Sequence, residues 1–392
     1  MTDPNNYDNL DFCLSVLFNY IYDRKQSKAC YSFNSPSRKF EPLDPAKVTL
    51  EDLKKPDGFD PSPVLTGKFK FSGVHFEKAH FKRQGGTSFP VTLEIGKYEK
   101  KGGRNKLDSP ELVNIFSLYL LSELQASRKT RFILLPLMFF DVSAKDLKKY
   151  NPSLAADLQA KLKVKDTDGL FVLATEHYFK RENLQPYLLE NWKTFTVEHW
   201  RVLSFQVLSC LFSIQDRHPF FRHNQASYPA WELYRRNPGE QPFYYLVGDT
   251  RYTVPNMGFE LRLNNFEKAT LDPLMVNSSF PKPKHNPFYD IHAFFQSLLF
   301  LTASSTLPDE FQSFLNRILP KAFVYKEKGY KGLVESKYLK EVDAIPTAGE
   351  ILKDSFFDSL RETDSVRPLE VSEASLTEIS SDGPRLLGRR IE

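Results

Sequence analysis

The chain has 392 residues, of which 41% are hydrophobic and 14% aromatic, including 34 Phe and 18 Tyr. This composition is typical of a folded protein with an aromatic core and excludes a disordered or fibrous chain. The 53 basic and 49 acidic residues leave a net charge of +4. We expect no nucleic-acid partner, because phosphate binding needs a clustered excess of cations. The three cysteines suggest neither a disulfide framework nor a zinc site and suit a reducing compartment.

The length favours two lobes over one minimal domain. Residues 1–66 combine one apolar run with a polar, Pro-rich connection. We expect this part to be an N-terminal extension with one short helix at residues 12–22. The most apolar stretch, residues 293–303, is about half as long as the ~20 residues that cross a bilayer. We therefore expect a buried helix there and no membrane span.

From residue 67 onward, apolar and polar side chains alternate, which predicts successive strands with one apolar face. The alternating apolar residues are Phe69, Phe71, Phe76, Phe81, Val91, Leu93 and Ile95. Further apolar runs at residues 132–140 and 170–174 have the length of strands. The Lys-rich segment between them, residues 145–165, has a helical pattern.

A helix with a well-marked start is predicted between these strands. Asp108 or Ser109 can accept hydrogen bonds from free backbone N–H groups, Pro110 fits the first turn, and Glu111 complements the helix dipole. Strands, one helix and more strands make residues 67–176 a small α+β lobe.

The second lobe, residues 177–361, is predicted to be mainly helical. Apolar side chains recur at helical spacing in residues 200–211, 289–301 and 311–318. Loops and strands are expected in residues 222–266. The tail, residues 362–392, is rich in Ser, Glu and Arg with few aromatics, and we expect it to be flexible.

Residues 221–224 read Phe-Arg-His-Asn and follow a predicted helix. They resemble the start of the catalytic loop in serine/threonine kinases of large cytoplasmic DNA viruses, of the poxvirus and giant-virus type, where the loop reads F-R-H-N-D-L-H-x-x-N. Residues 252–263 resemble the strand before that family's metal-binding D-F-x turn, and residues 346–357 resemble the end of the kinase domain. The resemblance covers about residues 67–361. It implies an α+β, two-lobed, protein-kinase-like fold with a strand-rich N-lobe and a helical C-lobe.

The resemblance also gives structural roles to three residues. His223 and Asn224 belong to the loop, and Asp290 lies at the head of a helix that starts Tyr-Asp-Ile-His. In the family such an Asp braces the loop, and we expect it to cap backbone N–H groups of the preceding loop. The alternative role for His223 is that of a general base.

Four positions depart from the family's pattern. The proton-accepting Asp is replaced by Gln225, the Asn that helps hold metal by Ala230, and the Asp of the D-F-x turn by Asn265. Glu94 stands where the family has a phosphate-binding Lys, and alternation places it on the nucleotide side with Thr92. Phosphoryl transfer needs a positioned carboxylate and metal held by anionic oxygens. We therefore expect no catalytic residue and no metal site.

Four residues are candidates for weak cofactor binding. Lys97 is the nearest substitute for the missing Lys, although it points to the opposite face unless Gly96 forms a bulge. Glu111 is its helix partner by family position, and with Glu94 facing it the ion pair becomes a repulsion. Glu176 and Glu267 complete this set.

The segment 226–263 is unusually aromatic, and two interpretations of it stay open. Its rings are Trp231, Tyr234, Phe243, Tyr244, Tyr245 and Tyr252. They either complete the core of the large lobe or form a surface that fills the cleft or contacts a protein.

These observations favour a pseudokinase that acts as a protein-binding, structural or regulatory component of viral assembly or of the virion. No cofactor is expected, and the partners would be other viral or host proteins, in the host cytoplasm, the viral factory or the virion. The alternative is an atypical active serine/threonine kinase that uses Glu267, Asp249 or another carboxylate with ATP and Mg²⁺. A third hypothesis is an unrelated α+β enzyme. The sequence indicates no oligomeric state.

Overall fold

A computed structural model describes much of the chain between residues 33 and 362. The described residues are 33–34, 39–40, 65, 70–71, 76–82, 88–98, 109–126, 129–176, 181–237, 242–271, 288–302, 307–319 and 346–362. The helix predicted at residues 12–22 and the tail from residue 363 lie outside them.

Among the described residues, seven strands lie before residue 177. They are β1 (Phe33–Asn34), β2 (Lys39–Phe40), β3 (Lys70–Phe71), β4 (Phe76–Lys82), β5 (Ser88–Lys97), β6 (Pro136–Ser143) and β7 (Gly169–Glu176). The last five form one antiparallel sheet in the order β3-β4-β5-β7-β6. β1 and β2 pair with each other inside the extension, where the sequence predicted no strand. We call residues 70–176 the sheet part.

Helix α1 (Pro110–Ala126) lies between β5 and β6 and begins where the sequence predicts. Ser109 caps it: the Leu112 N–H donates to Ser109 Oγ at 3.4 Å and the Val113 N–H to the Ser109 carbonyl at 2.9 Å. Most of its side chains are buried, including polar Glu111 and Asn114. The helix therefore belongs to the core of the sheet part.

The Lys-rich segment forms two helices, α2 (Ala144–Tyr150) and α3 (Pro152–Leu162). The break falls at Asn151 because the residue before a proline is disfavoured in helical backbone. The Asn151 side chain then caps α3, accepting the Leu154 N–H at 3.0 Å.

The strand predicted for residues 132–140 begins only at Pro136. The preceding residues pair with a different part of the chain. The Leu134 N–H donates to the Leu263 carbonyl at 3.0 Å, and the Leu263 N–H donates to the Phe132 carbonyl at 2.7 Å. Periodicity could not reveal this, because an apolar run does not show which backbone it pairs with.

The described residues between 181 and 362, which we call the helical part, include one long buried helix. Its helices are α4 (Leu184–Asn191), α5 (Val197–Arg217), α6 (Tyr289–Thr302), α7 (Asp309–Ile318) and α8 (Ala348–Ile351). Short 3₁₀ helices occupy Trp192–Thr194, Tyr228–Ala230 and Ser355–Leu360. In α5, apolar and small polar side chains are buried on nearly all faces. Such a helix lies at the centre of its core.

Short strands carry the segments between these helices. They are β8 (Arg181–Asn183), β9 (Phe221–Arg222), β10 (Trp231–Arg235), β11 (Phe243–Val247), β12 (Thr250–Val254), β13 (Phe259–Leu263) and β14 (Thr270–Leu271). β13, β10 and β8 form one antiparallel sheet, β9 pairs with β14, and β11 and β12 form a hairpin.

Most rings of the aromatic segment complete the core. The Tyr245 ring lies 5.3 Å from Phe132 and 5.4 Å from Phe205, and buried Tyr252 donates to the Leu352 carbonyl at 3.0 Å. Tyr244, by contrast, is 63% exposed on the outer face of the hairpin. The structure thus favours the core interpretation for most of the segment.

Within the described ranges, no helix combines the length and the apolar character that a bilayer crossing requires.

Candidate functional site

The loop after β9 is held by a buried carboxylate. Asp290, in the first turn of α6, accepts the His223 N–H through Oδ2 at 2.7 Å and the Asn224 N–H through Oδ1 at 2.9 Å. Burial raises the pKa of Asp290 to about 6, although these two hydrogen bonds and the charge of Arg222 oppose the rise. Asp290 therefore fixes the backbone of the loop, which is the contact that the sequence led us to expect.

Asn224 adopts a left-handed backbone conformation, with φ of 65°. Asn is one of the few residues that tolerate this region. Its Nδ2 donates to the Lys268 carbonyl at 2.8 Å and to Thr270 Oγ1 at 3.1 Å. The side chain thus ties the loop to the segment that follows the 264–267 turn.

His223 uses both ring nitrogens inside the protein. Nε2 lies 2.9 Å from the Asn264 carbonyl, Nδ1 accepts the Gln225 N–H at 3.2 Å, and the ring centroid lies 4.8 Å from that of Phe266. Burial lowers the pKa of His223 to about 4, so the ring is neutral near pH 7. A neutral ring that donates from Nε2 and accepts at Nδ1 satisfies this geometry. The arrangement favours the structural role over that of a general base.

The 264–267 turn is anchored at its phenylalanine. Phe266 is fully buried, and its N–H donates to Asn114 Oδ1 of α1 at 2.9 Å. Asn265 is exposed, with φ of 60°, and Glu267 is also exposed. The turn therefore joins the helical part to α1 of the sheet part while presenting a neutral amide and one carboxylate to solvent.

Neutral side chains stand at the three positions to which the resemblance assigns the proton acceptor (Gln225) and the metal ligands (Ala230 and Asn265). Gln225 is half-buried, Asn265 presents an amide, and Ala230 is buried with its carbonyl accepting the Asn264 N–H at 3.0 Å. Mg²⁺ prefers hard, usually anionic oxygens, so these residues do not fit a metal–nucleotide complex. Across the residues that the structure describes, no group of three or more His, Cys, Asp or Glu side chains could hold a metal ion.

Glu94 lies half-buried on β5 in an acidic environment. Burial raises its pKa to about 7; the charge of Glu267 adds to the rise, Arg181 opposes it, and Glu111 adds further. Glu267 and Glu111 are thus close enough to act on the Glu94 carboxyl. A phosphate group would be repelled by this side of the strand whenever the carboxyls are ionised.

Lys97 has partners away from that side. Its Nζ lies 2.9 Å from Asp168 Oδ2 and donates to the Lys163 carbonyl at 3.1 Å. The register between β5 and β7 is unbroken through Gly96 to Lys97, so no bulge turns the lysine round. The structure gives Lys97 a contact with the end of α3 and the loop before β7.

Glu176 is fully buried between the two parts of the molecule. Its Oε1 accepts the Leu135 N–H at 3.0 Å and lies 3.3 Å from Arg262 Nε. Burial raises its pKa, and the Arg262 charge opposes the rise. Its carboxylate is therefore engaged within the chain.

A second buried carboxylate, that of Glu260, forms ion pairs with three arginines. Its oxygens lie 2.9 Å from Arg131 Nε, 2.5 Å from Arg262 Nη1 and 3.2 Å from Arg236 Nη1. Since Arg262 also meets Glu176, this cluster joins β13 to the sheet part.

Arg181 is a site residue that the sequence pattern did not predict. This residue donates from Nε and Nη2 to the carboxylate of Glu232, and from Nη1 to Thr92 Oγ1 at 3.0 Å. Glu232 also accepts from Asn264 Nδ2 at 2.9 Å. One signal could have indicated it: Glu232 stands in an otherwise apolar strand, Trp-Glu-Leu-Tyr, and a buried carboxylate requires a cation.

Comparison with known proteins relates the chain to two proteins of Acanthamoeba polyphaga mimivirus. One, named "putative serine/threonine-protein kinase", is 27% identical over 281 residues, or 64% of this chain and 59% of the relative. The other, named as an uncharacterized protein, is 28% identical over 286 residues, or 70% of this chain and 32% of the relative. The chain thus spans less than two thirds of either relative.

No protein-family model matches the chain. Among solved structures, it resembles WaaP, determined in complex with acyl carrier protein, with 12% identity and a TM-score of 0.34 over 77% of this chain and 98% of that one. The sequence comparisons make the chain a distant relative of a viral protein with a kinase name, and the structure has a mixed helix and strand fold.

Proposed function

We propose that the chain has a two-lobed, protein-kinase-like fold and is a catalytically inactive member of that class. The sheet part with α1 corresponds to the N-lobe, and the helical part around α5 corresponds to the C-lobe. The relation to the mimivirus protein that carries a kinase name supports this class.

One observation carries the inactive assignment. Asp290 holds the backbone of the loop through hydrogen bonds from the His223 and Asn224 N–H groups. Gln225 and Ala230, however, supply neither a base nor a metal ligand. An amide has no useful basicity near neutral pH, and a methyl group cannot bind metal. Phosphoryl transfer depends on positioned charge, which these positions lack.

The other side of the cleft supports the same conclusion. Glu94 and Glu267 place carboxylates where a kinase needs a cation for phosphate. We infer that the protein acts by binding other viral or host proteins, in the host cytoplasm, the viral factory or the virion. A pull-down from infected cells with the full chain as bait would identify such partners.

Transfer of ³²P from γ-labelled ATP tests the inactive assignment. We expect no incorporation into the chain or a generic protein substrate with Mg²⁺ or Mn²⁺. A control variant, Gln225→Asp with Asn265→Asp, restores two of the family's carboxylates and should remain folded, because the first position is half-buried and the second is exposed. Metal-dependent transfer by the natural chain would overturn the assignment.

The second candidate is an active kinase that uses Glu267 as its metal ligand. The relative's name and the exposure of Glu267 beside Asn265 favour it. Asp249 is less suited, since it lies exposed in the hairpin turn beside Gly248, which adjoins Phe212 of α5. If this candidate holds, Glu267→Gln abolishes transfer while Asp249→Asn leaves it unchanged.

A further inference from the structure

Arg181 occupies the side of β5 that a nucleotide would face. The resemblance assigns that side to Thr92 and Glu94, and the Arg181 guanidinium donates to Thr92 Oγ1 at 3.0 Å. Its charge also acts on Glu94, where it opposes the rise in pKa. A planar cation therefore already lies against the surface that the proposed fold would offer to a ligand.

The opposite side of the guanidinium is bound by the helical part. Arg181 is paired with Tyr234 in the β8–β10 register, and Glu232 lies diagonally across from it. Long side chains reach such diagonal neighbours. Nε and Nη2 each donate to one carboxylate oxygen of Glu232, which is the two-pronged geometry that arginine forms best.

These contacts are enclosed. The side chains of Arg181 and Glu232 are 8% and 10% exposed, and Thr92 is 2% exposed. Asn264 adds a hydrogen bond to Glu232 at 2.9 Å, so the contacts continue into the 264–267 turn. A single guanidinium thus links β5 of the sheet part, β10 of the helical part and the turn.

We propose that the Arg181 side chain fills the nucleotide position of the cleft. It holds β5 against β10 in the place where a bound nucleotide would otherwise join them. This inference rests on the proposed function, because it takes the cleft to be the one a kinase uses. It gives β5 and β10 a connection that needs no nucleotide, in addition to the Glu260 cluster and the Leu134–Leu263 hydrogen bond that also join the two parts.

Hydrogen–deuterium exchange on the full chain tests whether Arg181 holds β5 against β10. Arg181→Met keeps much of the side-chain length and removes the charge, and pairing it with Glu232→Met avoids an unpaired buried carboxylate. We expect amide exchange in β5 and β10 to become about tenfold faster or more in the double variant, since local opening sets exchange. Unchanged exchange in β5 would overturn the proposal.

A matched control comes from the same pair of strands. Arg235 contacts Glu182 in a more exposed position, with 40% and 28% of the two side chains accessible. Arg235→Met with Glu182→Met removes an equivalent ion pair but no contact with Thr92. Exchange in β5 should remain at the natural level. Equal acceleration in both double variants would show a general loosening and would also overturn the proposal.

Thermal unfolding with ADP in EDTA gives an independent readout. The natural chain should show no rise in Tm at millimolar ADP, because only a ligand that binds the folded state raises it. A clear rise in Tm would show that a nucleotide displaces Arg181, and it would refute the proposal that Arg181 fills the nucleotide position. Phosphoryl transfer by the natural chain would instead refute the proposed function, so the two failures are distinguishable.

Discussion

The loop that Asp290 holds and the side of β5 that carries Thr92 and Glu94 differ in what their side chains do. In the loop, Asp290 satisfies two buried backbone N–H groups and His223 packs on Phe266. On β5, the Glu94 carboxyl lies under the influence of Glu267, Arg181 and Glu111, and Thr92 accepts a hydrogen bond from Arg181. Buried backbone groups need partners whether or not a reaction occurs, so the hydrogen bonds that hold the loop do not by themselves indicate catalysis.

The two parts of the molecule are also joined differently at different points. Arg181 joins β5 to β10, whereas the Glu260 cluster and the Leu134–Leu263 backbone hydrogen bond join β13 to residues 131–134. If the Arg181 contact and the Glu260 cluster both hold the two parts together, substitutions in either should lower the free energy of unfolding. The more deeply buried contact should cause the larger loss.

The largest effect is expected from Glu260→Ala. Burial would raise the pKa of Glu260, but the charges of Arg131, Arg262 and Arg236 together hold it below its usual value. Removing the carboxylate leaves these buried or half-buried arginines without it, so the free energy of unfolding should fall by about 3–5 kcal/mol. Urea denaturation measures this. A loss below about 1 kcal/mol would contradict the structural role of the cluster.

Asp290→Ala should have the next largest effect. Two buried backbone N–H groups, those of His223 and Asn224, would lose a charged acceptor, and unfolding should become easier by about 2–3 kcal/mol. Asp290→Asn serves as the control, because its single carbonyl can accept one of the two hydrogen bonds and should retain part of the stability. If both variants matched the natural chain in urea denaturation, the brace would not support the loop.

A smaller, pH-dependent effect is expected at Glu94. Its pKa is about 7 in the folded chain against an ordinary value of 4.5, so the folded state binds more protons between these pH values. Stability therefore falls as pH rises from about 4.5 to about 7. Glu94→Gln removes this loss and should gain about 1–2 kcal/mol relative to the natural chain on going from pH 5 to pH 8.

Unfolding free energies of both chains at several pH values measure the Glu94 effect. The difference between the two chains isolates it from Asp290, whose pKa is also raised, to about 6. A difference that stays constant with pH, or that grows in the opposite direction, would contradict the acidic environment described for β5.

The smallest effect is expected on the outer face of the hairpin. Tyr244 and Leu246 are 63% and 64% exposed, so Tyr244→Ser or Leu246→Ser should change stability by no more than about 0.5 kcal/mol. Tyr252→Ala, at a buried ring of the same hairpin, is the matched contrast and should cost about 3–5 kcal/mol. Equal losses by thermal unfolding would contradict the division of the hairpin into a core face and an exposed face.

The sequence predicted the secondary-structure elements that depend on nearby residues, such as helix caps and apolar side chains at helical spacing. The cap at Ser109 and the apolar stripe of α1 follow from residue type and spacing, and the helices at 289–302 and 309–318 lie close to their predicted positions. The start of β6 and the pairing of Phe132 with Leu263 could not be predicted, because they depend on contacts between residues far apart in sequence.

The same distinction holds for the site. The contact of Asp290 with the loop was expected from the resemblance. The ion pair between Arg181 and Glu232 was not predicted. It forms only because β8 and β10 are neighbouring strands, and the sequence around either residue does not indicate that pairing. Glu176 was treated as a candidate ligand, and burial against Arg262 instead gives it a partner within the chain.

Isothermal titration of the full chain with ATP, in Mg²⁺ and in EDTA, tests the central claim most directly. Under the proposed function, the metal positions carry neutral side chains and Arg181 occupies the cleft, so no binding heat should depend on Mg²⁺. Saturable, Mg²⁺-dependent binding of ATP that Asn265→Ala or Glu267→Gln abolishes would contradict the account.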